Sequence, residues 1–87
     1  MPYLEEEFRI VLELHKKAII QTALVMFEHE GIYDMVLLRP FKGIQGEGMK
    51  KAENIVDIVI EDTETFEALY KYCWELVKNL ESMDFVI

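Results

Sequence analysis

The stretch Phe8-Arg9-Ile10-Val11-Leu12-Glu13-Leu14 decides how the rest of the chain is read. Phe8, Ile10, Leu12 and Leu14 occupy alternate positions, the period of two that lines one face of a strand. Leu4, Phe8, Val11, Leu12 and Ile19 also recur at helical spacing, so one long helix over residues 4 to 30 competes with it. A helix here leads to an α-β-β-α order, a strand to β-α-β-β-α-β. Four strands can pair where two would be marginal, which favours the strand.

Outward from this stretch the period changes. From Lys16 to Glu30, Ile19, Ile20, Ala23, Leu24 and Phe27 repeat at helical spacing, and Gly31 is a natural stop. Ile32 to Arg39 is aliphatic-rich, ends at Pro40 and predicts a second strand. Ile55 to Glu61 predicts a third, with Val56, Ile58 and Ile60 on one face. Asp62 reads as an N-cap, with Glu64 in the first turn where a negative charge suits the helix dipole. The following helix carries an apolar stripe of Phe66, Leu69, Tyr70, Cys73, Leu76, Val77 and Leu80 and a Glu67–Lys71 pair at favourable spacing. Met83 to Ile87 alternates as a short final strand. The expected fold class is therefore α+β: a ferredoxin-like split βαβ sandwich, with a four-stranded antiparallel sheet carrying two helices on one face. Residues 1–87 form a single domain, of which 1–7 are a frayed tail or an added edge element.

At 87 residues the chain has room for one core; area scaling leaves about 64% of the unfolded surface buried. Apolar residues make up 52% and charged residues 30%, which excludes a disordered class. Nine Lys and Arg against seventeen Asp and Glu give a net charge of −8. No basic cluster exceeds Lys16-Lys17 or Lys50-Lys51, so neither nucleic acid nor an anionic membrane is expected as partner. The apolar runs are too short to span a bilayer. One cysteine, Cys73, and an opening that runs straight into Glu5-Glu6-Glu7 point to a cytoplasmic protein. On the expected sheet, Val11, Val36, Leu38, Ile55, Val59 and Val86 face away from the helices. That much apolar surface implies a homo-oligomer packing these faces together.

Three glycines gather in Phe41-Lys42-Gly43-Ile44-Gln45-Gly46-Glu47-Gly48-Met49-Lys50-Lys51. Glycine permits close approach and unusual dihedrals, so backbone amides in such loops can cradle a phosphate. Lys42, Gly43, Gln45, Gly46 and Gly48 are the candidate binding residues, against a hairpin connection that needs glycine only for its turns. The order G-x-x-G-x-G matches neither a dinucleotide fingerprint nor a P-loop. Ile44 to Lys50 is similar to the acylphosphatase phosphate loop. Lys50 replaces its arginine, however, Glu47 adds a negative charge, and the loop follows the second strand instead of the first. His15, His29 and Cys73 lack metal-ligand spacing, so no metal site is expected. Ser82 has no histidine near it, and no catalytic residues are assigned.

The run Glu28-His29-Glu30-Gly31, the strand Tyr33-Asp34-Met35-Val36-Leu37-Leu38, the loop with Gln45 and the segment Val56 to Asp62 resemble the PII-like (GlnB-like, CutA-like) superfamily over nearly the whole chain. The resemblance implies a homotrimer with sheets facing the molecular axis, and a regulatory or adaptor role exercised through a partner protein, without enzymatic activity. In that family loop glycines and a glutamine, matched here by Gly43, Gln45 and Gly46, hold ATP or ADP between subunits. The family's basic phosphate loop is missing, since no basic residue follows Lys78. ATP and ADP are therefore not expected, and the cofactor is left open. The alternative is a small-ligand or metal-binding domain with sites between subunits near Lys42 to Gly48 and His29.

Overall fold

The computed structural model describes residues 2–84, with side chains from 4 to 79. These residues form three α-helices and a single 3-10 turn, with no strand among them. Helix α1 spans Pro2–Glu30, α2 spans Gly48–Val59 and α3 spans Thr63–Asp84. The 3-10 turn is Arg39–Phe41, with Pro40 placed where its missing N–H costs nothing. The expected ferredoxin-like sheet is therefore replaced by a helical fold. Helix α1 packs against both α2 and α3, which touch each other more sparsely.

Each expected strand has its own physical reason for failing. Phe8 to Leu14 lies inside α1, so the single helix from residue 4 to 30 is the version that holds. Ile32 to Arg39 is an irregular connection closed by turns: the N–H groups of Leu38 and Arg39 both donate to Met35 O. Ile55 to Glu61 begins in α2, whose buried residues Ala52, Ile55, Val56 and Val59 follow helical spacing. The β-branched run there favours a strand only as a weak local preference, and packing against α1 overrides it. Of the expected final strand, Met83 and Asp84 end α3, and Phe85 to Ile87 lie outside the described residues.

Two local signals agree with the structure. Gly31 ends α1 at φ +70° in a Schellman arrangement: its N–H donates to Glu28 O, and that of Ile32 donates to Phe27 O. Asp62 opens α3 by accepting the Thr65 N–H at 3.4 Å and the Thr65 hydroxyl at 2.7 Å. Between α2 and α3 only Ile60 to Asp62 intervene, and Asp62 also donates its N–H to Val59 O.

The core is built from Ile20, Ala23, Leu24 and Phe27 of α1, Ala52, Ile55, Val56 and Val59 of α2, and Phe66, Leu69 and Cys73 of α3. Tyr33, Leu38 and Phe41 of the long connection complete it. The Tyr33 hydroxyl donates to Leu24 O at 3.0 Å, and the Lys51 ammonium sits 4.6 Å from its ring centre. Burial and the nearby Glu28 carboxylate raise the Tyr33 pKa. Of the residues expected on an outer sheet face, Leu38, Ile55 and Val59 are buried here. Val11 and Val36 are exposed, and Val86 lies outside the described residues.

Helix α1 does not keep one apolar face along its length. At about 100° per residue, Ile20, Ala23, Leu24 and Phe27 cluster within about 100° of arc, toward the core. Leu4, Phe8, Ile10, Val11, Leu12 and Leu14 spread over about 200° centred nearly opposite. Glu5, Glu6, Arg9 and Glu13 fall in the remaining arc, in line with the core stripe further along. An arc that wide contains alternate positions, which is why Phe8 to Leu14 imitates a strand.

Candidate functional site

The glycine-rich connection places Lys42, Gly43, Gln45 and Gly46 along one exposed passage that leads to Gly48, the half-buried first residue of α2. Lys42 follows the 3-10 turn, and its ammonium pairs with the Asp34 carboxylate at 3.1 Å. Gln45 offers its backbone oxygen to the Asn54 side-chain amide at 3.0 Å. Gly46 has φ +106°, and a Cβ there would lie 3.1 Å from Lys51 N. Gly48 has φ +54°, and its N–H donates to a Glu28 carboxylate oxygen at 2.5 Å. Glu47, at the N-cap of α2, makes no side-chain capping bond.

These contacts bear on phosphate chemistry. Glu28, reaching from α1, lies where an anion would approach the first turn of α2, and Glu47 adds a second carboxylate beside it. Together with Val25, His29 and Gly48 they line an open hollow of about 320 Å³. A second hollow, about 260 Å³, lies between α1 and the α2–α3 junction and is lined by Arg9, Leu12, Glu13, Lys16, Phe66 and Glu67 among others. Lys16 is committed there to Glu67 at 2.7 Å and also stands 5.2 Å from the Tyr70 ring centre. Neither hollow carries an unopposed positive charge.

The soft-ligand candidates stand apart. His15 makes an edge contact with Trp74, ring centres 6.4 Å apart. His29 is exposed in the last turn of α1. Cys73 is fully buried, and burial pushes its thiol up to about 12. Among the described residues no group of three or more His, Cys, Asp or Glu is placed to hold a metal ion. No described helix is long and apolar enough to cross a membrane.

What remains is the first half of α1. Phe8 is 69% exposed, Val11 63%, Leu4 58% and Leu14 57%, with Ile10 and Leu12 also on the surface. Leu4, Phe8, Val11, His15 and Ala18 follow one another at spacings of four, three, four and three, the seam of a helix–helix contact. Glu5, Glu6, Arg9 and Glu13 flank the arc, and Glu7 lies within it. Leu12 also lines the hollow beside Phe66; taking about 200 Å² for a fully exposed residue of this size, the other five apolar residues present on the order of 590 Å². A monomer of this mass seldom leaves such a face uncovered. Helical spacing of Leu4, Phe8 and Val11 was the available signal for it. The Glu28–Gly48 contact, across twenty residues, left no trace in the sequence.

No family model, curated protein or solved structure matches this chain.

Proposed function

We propose that this chain is a non-enzymatic regulatory or adaptor protein that works by protein contact, through the apolar face of α1 between Leu4 and Leu14. The observation that carries this reading is the reversal of α1: its second half spends its apolar face on the core, and its first half turns an equally apolar face away. Helix-in-groove or helix-on-helix recognition uses such anchors at spacings of three and four. The trimer implied by the PII-like resemblance relied on sheets meeting at an axis, and without a sheet that geometry has no support here.

Cross-linking with quantitative mass spectrometry tests the proposal on the full chain and on Phe8→Glu/Val11→Glu. Loss of most of the protein cross-links in the double variant is expected. An unchanged cross-link pattern overturns it. So does a large thermal shift with a nucleotide, amino acid or divalent metal, since a ligand at 100 times its dissociation constant adds about 2.7 kcal/mol.

A further inference from the structure

We infer that the occupant of the α1 face is a second copy of this chain, paired antiparallel along Leu4, Phe8 and Val11. This rests on the contact role proposed above and names its partner. Two such faces present on the order of 1,200 Å², the lower end of the range of about 1,200–2,000 Å² for specific stable interfaces, so a stable pair covers both faces almost fully. The chain's accessible surface is 6454 Å². That is about a fifth more than the roughly 5,400 Å² of a compact monomer of this mass. The radius of gyration is 14.0 Å, against about 12 Å for a compact domain of this length. Surface and radius both exceed those of a compact single chain of this length.

Charge sets the direction. Parallel pairing sets the two Glu7 carboxylates, the acidic groups that lie within the arc, at the same level of the seam, and like charges juxtaposed across an interface are costly. Antiparallel pairing separates them and lays Leu4 against the partner copy's seam near position 15 and Phe8 near position 11. Glu7 then lies level with Leu12 of the second copy, while Glu6 and Glu13, which share a level, both point off the seam. The two helices cross a shared midpoint between residues 9 and 10.

Light scattering of the full chain from about 1 to about 200 µM tests this, a range that brackets micromolar dissociation constants. The mass is expected to double with concentration for the native chain and for Val36→Glu, an exposed position outside the arc. Phe8→Glu and Val11→Glu are expected to stay at single-chain mass, with circular dichroism showing the helical content retained. Leu4→Cys adds the direction: antiparallel pairing holds the two positions about 16 Å apart along the axis, beyond disulfide reach. No covalent pair is then expected on oxidation.

A native chain that stays single at every concentration overturns the inference. So does a pair that survives both Phe8→Glu and Val11→Glu, an assembly larger than two, or a covalent Leu4→Cys pair. If the chain is single but its cross-links to another protein vanish in Phe8→Glu/Val11→Glu, the self-pairing fails and the contact role stands.

Discussion

Val11 and Ile20 stand on opposite sides of one helix: nine residues are two and a half turns, about 180°. Ile20 is fully buried and Val11 is 63% exposed. Both are β-branched aliphatic residues of α1, so only the surroundings differ. Ile20→Ala is expected to cost about 2–5 kcal/mol through lost burial and the cavity left behind. Val11→Ala, measured in dilute solution, is expected within about 0.5 kcal/mol of the native chain. Urea unfolding of both variants checks this, and equal losses would place Val11 in the core.

The glycines of the connection divide in the same way. Gly46→Ala is expected to destabilise by about 1–3 kcal/mol, because alanine is strained at φ +106° and its Cβ would press on Lys51 N. Gly43 has open space around it and no positive φ. Gly43→Ala is expected to be neutral, or stabilising by up to about 1 kcal/mol, since it restricts the unfolded chain. Thermal unfolding of the pair distinguishes conformational need from general glycine preference.

Asp62 links the start of α3 to pH. The Thr65 hydroxyl, then the Thr65 and Glu64 backbone groups, hold its carboxyl below the usual value of 3.8. A carboxyl whose pKa is lower folded than unfolded stabilises the fold above its unfolded value, and that contribution disappears as pH falls through the folded value. Asp62→Ala is expected to melt below the native chain at pH 7, with the gap narrowing as pH drops from about 5 into the acid range. A gap that stays constant would mean the carboxylate charge plays no part.

Cys73 provides a test of packing between α1, α2 and α3. With its thiol pushed up to about 12 and its side chain sealed, it has almost no thiolate at neutral pH. The native chain is expected to resist an aromatic disulfide reagent at pH 8, and to react fully once unfolded in guanidinium. Rapid reaction of the native chain would show the core to be open.

What was legible in the sequence was local. Gly31 and Asp62 mark helix ends through bonds spanning a few residues, and the stripe of Phe66, Leu69 and Cys73 repeats on one buried face. Phe8 to Leu14 was ambiguous because its apolar arc is wide enough to satisfy both periods. Only the burial of Ile20, Leu24 and Phe27 on the opposite face shows which one applies. Ile55 to Ile60 reads as a strand from β-branching, and its helical burial depends on α1 lying alongside. For the candidate site, the spacing of Leu4, Phe8 and Val11 was visible. That no neighbouring helix covers them is a property of the tertiary arrangement.

Amide hydrogen exchange across residues 4 to 15, followed as a function of protein concentration, tests the central claim most directly. A helix end without tertiary support opens readily, and a paired one does so only with the pair. Protection of these amides is expected to rise with concentration, while that of residues 20 to 27 stays constant. Exchange of residues 4 to 15 that is fast, or equally slow, at every concentration would contradict the account, because no second chain would then be covering the face.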